Sequence, residues 1–172
     1  MSARLEHLDA EEVRELRRLF LAQSGELLEQ MQETLVALER DGLDGEGVRL
    51  VKRALHTVKG DATSMGFEAV GLLCHRLEDV LAIAAAEPTR AAAALETLFA
   101  GADGLAAMLA ALAAGEEPQP PAAAEERCEA FLMAERAPAA RMAPLSPEER
   151  LEAAAATGRG LGLFFVEAAV HP

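Results

Sequence analysis

Apolar residues recur at steps of three and four along four successive stretches of this chain, and this spacing constrains the fold more than any other feature. The stretches cover about residues 10–40, 45–65, 68–86 and 88–112. Short glycine and proline breaks separate them, so consecutive helices should lie side by side and antiparallel. The sequence therefore predicts an all-α fold in which residues 1–114 form an antiparallel up-down four-helix bundle. Asp44 is predicted to cap the second helix.

The composition agrees with close-packed helices and argues against several classes of function. Hydrophobic residues make up 51% of the chain but aromatic residues only 3%, all of them phenylalanine, which disfavours a sheet. The net charge of −13 disfavours binding to nucleic acid or to an anionic membrane. No apolar run approaches the ~18 residues of a transmembrane helix, and the charged N-terminus does not resemble a secretion signal. We therefore expect a cytoplasmic protein without membrane insertion and without a nucleic-acid partner.

The two cysteines, Cys74 and Cys128, lie far apart in the chain and both fall within helical patterns. This placement favours reduced thiols in the core over a disulfide or a metal-binding pair.

The chain changes in character after Gly115. Six of the eight prolines lie between positions 118 and 147, which predicts a Pro/Ala-rich linker over residues 115–146. Within it, Ala123–Arg136 could form a short helix that either docks on the bundle as a fifth helix or stays loose. Residues 147–172 have the pattern of a helix start followed by a lone strand. Because a lone strand cannot form a sheet, we expect an irregular tail or the start of a further domain, in a chain that is a fragment of a longer protein.

The second helical stretch carries the motif His-Thr-Val-Lys-Gly at residues 56–60. Helical geometry places His56 on the polar side, about 130° from the centre of the apolar stripe, with Lys59 between that side and the core. Residues 47–60 contain four basic side chains and no acidic one, in a chain with 29 acidic and 16 basic residues. This local excess of positive charge suits a phosphoryl group, which brings about two negative charges. An exposed imidazole here is suited to attack phosphorus through an unprotonated nitrogen.

Further motifs downstream strengthen this interpretation. Met-Gly-Phe follows at residues 65–67, and the third helix carries His-Arg-Leu-Glu at residues 75–78. Together with residues 56–60, these motifs resemble the histidine phosphotransfer (HPt) domain at the N-terminus of CheA-type chemotaxis kinases. The segment at residues 20–29 is similar to the first helix of that domain, and the resemblance covers about residues 8–114.

The resemblance implies a role for five residues. His56 would be the phosphoacceptor, and Lys59 would contact the phosphate. Glu78 and His75 would join a hydrogen-bond network around the acceptor ring. Gly60 would leave room for the active site of a partner to close over His56.

The function implied by the resemblance is that of a phosphoryl carrier in two-component, chemotaxis-like signalling. The ATP-binding core of a histidine kinase would transfer the γ-phosphoryl group of ATP to His56. An aspartate in the receiver domain of a CheY-like response regulator would then accept it. This chain has no nucleotide-binding signature, so we expect no cofactor in it, with ATP and Mg²⁺ bound by a kinase core that lies downstream or acts in trans. On its own the chain would be a substrate and carrier, not a complete kinase.

Two other functions stay open at this point. The chain could be a free-standing phosphorelay carrier, although the proline-rich segment and the terminal strand argue against that. It could instead be a helical adaptor whose histidine is never phosphorylated. The basic residues of the second helix could be ordinary solvated charge, and His75 with Glu78 an ordinary surface pair. A metal site at His56, His75 and Glu78 is disfavoured, because the inward positions of all four helices are aliphatic.

Overall fold

The computed structural model describes residues 9–43 and 45–136, the last two by their backbone alone. This part of the chain contains five α-helices and no strand: α1 (Ala10–Asp41), α2 (Gly45–Met65), α3 (Glu68–Ala86), α4 (Ala91–Ala114) and α5 (Ala122–Arg136). A short 3-10 helix, Pro88–Arg90, precedes α4. The predicted cap at Asp44 and the predicted helix start and strand of residues 147–172 lie outside the described residues.

The first four helices form the predicted bundle. α1 packs on α2 and α4, and α3 packs on the same two helices, so each helix has two neighbours around a common core. The core is aliphatic and includes Leu35, Leu55, Leu77 and Leu105, each almost fully buried. Burial of these stripes supplies the main driving force for folding, because most of the stability of helices in proteins comes from the packing of an apolar face. The all-α prediction is confirmed.

One stretch of α1 lies in a different register from the predicted one. The apolar repeat of the first helical stretch includes Leu16 and Leu27, but Leu16 is 38% exposed, while Leu27 is half-buried and packs against the core. The buried stripe instead passes through Phe20, Ser24 and Leu28. These three positions are four residues apart and therefore lie on one face of the helix. The buried Ser24 occupies the position between two apolar residues of that face. A pattern that counts only apolar residues misses such a position.

The turn between α2 and α3 is set by Gly66 and sets the direction of α3. Gly66 has φ +78°, a left-handed conformation that favours glycine. The Phe67 N–H donates to the Ala62 carbonyl at 2.8 Å, which satisfies one of the free carbonyls at the end of α2. Arg17 reinforces the turn from α1: its guanidinium lies 5.6 Å from the Phe67 ring centroid and donates to the Leu112 carbonyl at 2.8 Å. Arg17 thus links this turn to α1 and to the last turns of α4.

The structure decides between the two possibilities for the fifth helix, because α5 docks on the bundle. Cys128 and Phe131 are buried in the same core as the other helices. The Arg90 guanidinium lies 4.1 Å from the Phe131 ring centroid and donates to the Phe131 carbonyl at 2.8 Å. Gly104 leaves room for the close approach, since a Cβ there would lie 3.0 Å from the Cβ of Ala124.

Both cysteines are buried and free of disulfide bonds, as predicted. Cys74 lies on α3 and Cys128 on α5. Burial raises the pKa of both thiols, that of Cys74 to about 12, so neither is a reactive thiolate at neutral pH.

Within the described residues, one helical segment, Pro88–Ala114, is apolar and long enough to cross a membrane by length and composition. Half of its most apolar window is buried inside the protein, and α4 packs between α1 and α3. A core helix of a soluble protein passes the same test, so this segment is consistent with a soluble protein.

Two glycine substitutions should change stability in opposite directions. In α4, a Cβ at Gly101 would lie 2.2 Å from Cδ2 of Leu77, which is fully buried and would have to shift within a close-packed core. Gly101→Ala should therefore lower the free energy of unfolding by about 1–2 kcal/mol. In α1, nothing lies within 4 Å of a Cβ at Gly25, so Gly25→Ala should raise it by about 0.5–1 kcal/mol. Urea denaturation measures both, and a stabilised Gly101→Ala would contradict the close approach of α3 and α4.

Candidate functional site

His56 lies on the exposed face of α2 and is held by a residue of α3. Its side chain is 74% exposed, and Nδ1 lies 3.1 Å from Oε1 of Glu78. The antiparallel packing of α2 on α3 brings these residues together, although 22 positions separate them in the chain. One side of the ring is therefore fixed while the rest faces solvent.

Glu78 accepts a second hydrogen bond, from the ammonium group of Lys59, through its other oxygen. The Glu78 side chain is only 12% exposed, and Lys59 is 27% exposed between the polar face and the core. Partial burial raises the pKa of Glu78, but the hydrogen bonds and charges of Lys59 and His56 outweigh that effect. The pKa of Glu78 therefore lies below its ordinary value. The carboxylate is ionised at neutral pH.

This charge state determines which imidazole nitrogen is available. An ionised carboxylate can only accept hydrogen bonds, so Nδ1 of His56 must donate to it. The neutral ring then carries its proton on Nδ1 and its lone pair on Nε2. The described residues provide no hydrogen-bond partner for Nε2. The neutral form of this exposed, oriented ring thus has its lone pair on Nε2, which faces away from Glu78.

His75 lies at the edge of this cluster and not within the hydrogen-bond network. Its Nδ1 is 3.9 Å from Oε2 of Glu78, beyond hydrogen-bond distance, and the side chain is 58% exposed. The ring lines an open groove of about 680 Å³ together with Lys59, Thr63 and Leu72. The structure therefore brings His75 beside Glu78, as predicted, but does not bond the two. Any role in catalysis stays a prediction.

Two glycines shape the site, one by close approach and one by leaving space. A Cβ at Gly71 would lie 3.1 Å from Oγ1 of Thr63, so the absence of a side chain lets α3 approach α2. That threonine donates to the Lys59 carbonyl at 2.8 Å. Around Gly60, by contrast, nothing lies within 4 Å of a Cβ position. The surface one turn beyond His56 is thus open, as the predicted role of Gly60 requires.

Sequence reasoning missed one residue of this surface. Leu72 lies on α3 beside the groove and is 50% exposed, a large apolar side chain one turn from His75. The signal was present in the sequence, as two consecutive leucines at 72 and 73 of which only the second fits the apolar stripe.

The cluster does not have the composition of a metal centre. Among residues 9–43 and 45–136, no group of three or more histidine, cysteine, aspartate and glutamate side chains is arranged to hold a metal ion. Where His56, His75 and Glu78 converge, the Lys59 ammonium already occupies one carboxylate oxygen. The charges therefore suit an incoming anion next to the carboxylate better than a cation.

Comparison with known proteins finds a matching family and several similar chemotaxis proteins. The family profile described as "Hpt domain" matches residues 15–115, more than half of the chain. The chain is 38% identical over 63 residues to the chemotaxis protein CheA of Listeria monocytogenes and 40% identical over 63 residues to that of Bacillus subtilis. These alignments cover 37% of this chain and 10% and 9% of the relatives. For the chemotaxis protein CheA of Treponema pallidum the identity is 28% over 102 residues, 59% of this chain and 13% of the relative. The matched region is thus about a tenth of the length of these relatives.

The loss of stability caused by replacing Glu78 should depend on pH in a defined way. Its pKa is lowered in the folded state, so its contribution is present above the unfolded pKa near ~4.3 and is lost as the pH falls through the folded pKa. Glu78→Gln should therefore reduce the free energy of unfolding by about 1 kcal/mol at pH 7 and by almost nothing at about pH 3. Urea titrations across this range measure the difference. Glu33→Gln, an exposed α1 residue, is the matched control, and a difference for Glu78→Gln that does not vary with pH would contradict the ion pair.

Proposed function

The chain belongs to the Hpt domain family, a family of phosphotransfer carriers in two-component signalling, and from this premise we propose that it carries the phosphoryl group on His56. The observation that supports the proposal is the ring itself. It is exposed, its Nδ1 is bonded to an ionised carboxylate, and its Nε2 is left with a lone pair. A nucleophile that must enter the active sites of large partners needs this combination of exposure and fixed orientation.

In the proposed first step, Nε2 of His56 attacks the γ-phosphorus of ATP. An N–P bond forms, the bond from phosphorus to the bridging oxygen breaks, and ADP leaves with the electron pair. The ring becomes positively charged while Nδ1 keeps its proton. Because Glu78 accepts that proton's hydrogen bond, its negative charge stabilises the cation that develops. ATP and Mg²⁺ would be held by a histidine kinase core, in cis or in trans.

In the proposed second step, a carboxylate oxygen of an aspartate attacks the same phosphorus. The N–P bond breaks, and its electron pair returns to Nε2, which restores the neutral ring. The acceptor would be the receiver domain of a CheY-like response regulator. We place both steps in the cytoplasm, where ATP is available.

The neighbouring residues have separate roles in this proposal. Lys59 lies one turn from His56 and next to Glu78, so its ammonium would contact the phosphoryl oxygens once they arrive. Gly60 keeps the surface beyond His56 open. His75, at the edge of the cluster, would help to shape the surface that the partners contact.

Labelling with radioactive ATP tests the carrier function. A kinase core from a CheA-type protein should transfer label to the wild-type chain, and the label should be acid-labile and base-stable, as a phosphoramidate is. His56→Gln should abolish labelling, while His75→Gln should retain most of it. Failure of several active kinase cores to label the wild-type chain would favour the adaptor function instead.

Lys59→Ala should slow the labelling of His56 by about 10- to 100-fold, because it removes a cation beside the developing charge. Lys59 is partly exposed and its loss creates no large cavity, so the thermal transition should shift by only a few degrees, on the order of 1 kcal/mol. Single-turnover kinetics with the kinase core measure the effect, and Arg14→Ala, an exposed cation on α1, is the control. Unchanged kinetics in Lys59→Ala would remove this residue from the site.

A further inference from the structure

Three cations form a stripe on α2 that leads up to His56. Arg49, Lys52 and Arg53 are all exposed, on the side of the histidine nearer the start of the helix. With a rise of about 1.5 Å per residue, Lys52 and Arg53 lie about one turn from His56 and Arg49 about two turns. We call these three residues the basic stripe. The residues on the other side of His56 along this face, Gly60 and Thr63, are uncharged.

The stripe lacks acidic partners, although the chain is rich in acid. Among the described residues, no ion pair includes Arg49, Lys52 or Arg53. Elsewhere in the domain arginines are mostly paired, as in the contacts Arg18–Glu15, Arg40–Asp41, Arg76–Glu125 and Arg127–Glu96. Within the described residues, three cations without an ion-pair partner next to the reactive residue are therefore an exception in a chain whose net charge is −13.

The neighbouring helix explains why the stripe stays unpaired. His56 lies against Glu78, and Thr63 lies against Gly71, so α3 runs antiparallel to α2 with a constant register. The same register places the last turns of α3 opposite the stripe. Those turns, residues 80–86, consist of alanine, valine, leucine and isoleucine and contain no acidic residue. The α3 side of the bundle therefore supplies no acidic partner for these cations.

In the second step of the proposed function, two negatively charged groups must approach each other, and the basic stripe can offset their repulsion. A phosphorylated His56 carries about two negative charges on a domain that is already acidic. The group that takes the phosphoryl is itself a carboxylate, so donor and acceptor repel each other as they approach. Cations within one Debye length of His56, about 8–10 Å, are close enough to offset that repulsion.

We infer that the basic stripe is the docking surface for the acidic face of the acceptor protein, with carboxylates of the acceptor lying over Arg49, Lys52 and Arg53 while its aspartate reaches His56. The inference rests on the proposed function and adds the orientation of the complex. Because the cations lie on one side of His56 only, the acidic face of the acceptor lies over the start of α2, while its active site reaches over His56 toward the open surface at Gly60. The donor step depends less on the stripe, because Mg²⁺ in the kinase core already neutralises much of the nucleotide charge.

Charge reversal tests the inference. Lys52→Glu/Arg53→Glu removes and reverses two cations of the stripe, and Arg14→Glu/Arg18→Glu changes the net charge by the same amount on the exposed face of α1. Each phosphorylated protein is mixed with the CheY-like receiver domain that takes label fastest from the wild-type chain, and the second-order rate constant of transfer is measured. At low ionic strength the stripe variant should transfer at least about tenfold more slowly, and at about 0.5 M salt this difference should shrink to about twofold or less. The α1 variant should stay within about twofold of wild type throughout.

Three results would overturn the inference. Transfer from the stripe variant at the wild-type rate would show that the cations do not contact the acceptor. Equal slowing in the α1 variant would show that only net charge matters. An equal loss in labelling by the kinase core would assign the stripe to the donor instead.

A second measurement separates this inference from the carrier function. Titration calorimetry of the unphosphorylated chain with the same receiver domain should show weaker binding for the stripe variant than for the α1 variant at low salt. A wild-type chain that is never labelled would overturn the carrier function itself. A labelled chain that keeps its affinity when the stripe is reversed would overturn the docking surface alone.

Discussion

The ionised carboxylate of Glu78, between α2 and α3, is the interaction on which the rest of the site depends. It accepts hydrogen bonds from His56 and Lys59 through different oxygens, so it fixes an imidazole and an ammonium group relative to each other. Both donors lie on one helix and the acceptor on another, so the arrangement exists only if the two helices pack in one register. Gly71 allows the close packing, and Gly66 at the turn sets the direction in which α3 returns. Fold and chemistry are thus joined at a single side chain.

The electrostatic layout of the domain follows from two opposite requirements. An excess of acidic residues over the surface keeps a small helical domain soluble and discourages nonspecific binding. In the proposed carrier function, the residue that receives and releases phosphate needs positive charge nearby. Among the described residues, Arg49, Lys52 and Arg53 form no ion pair on their face of α2, whereas Arg18, Arg40, Arg76 and Arg127 on the other helices each lie beside a carboxylate. The position of a charge therefore matters more here than the total.

Much of this architecture could be predicted from sequence, and the exceptions have physical causes. The spacing of apolar residues indicated α1 to α4, because a half-buried helix repeats every 3.6 residues whatever its neighbours are. It missed Ser24 in α1, because a buried serine interrupts the apolar count without interrupting the stripe. It could not decide whether α5 docks, because docking depends on contacts such as Arg90 with Phe131, which lie 41 residues apart. The closeness of His56 to Glu78 was implied by the family resemblance, and antiparallel packing of α2 on α3 allows it. The 3.9 Å gap between His75 and Glu78 depends on side-chain rotamers, which periodicity does not determine.

The contact between Gly101 and Leu77 links the far side of the bundle to the reactive surface. Leu77 immediately precedes Glu78, and its side chain fills the space that Gly101 leaves vacant in α4. A turn of α3 about its own axis would force that leucine against the α4 backbone, so the contact acts as a mechanical stop. By limiting rotation of α3, this contact also limits the direction in which the Glu78 carboxylate points toward α2. In the proposed carrier function, exchanges in α4 that never touch phosphate would then act on His56 through small rotations of α3, without altering the surface that partners contact.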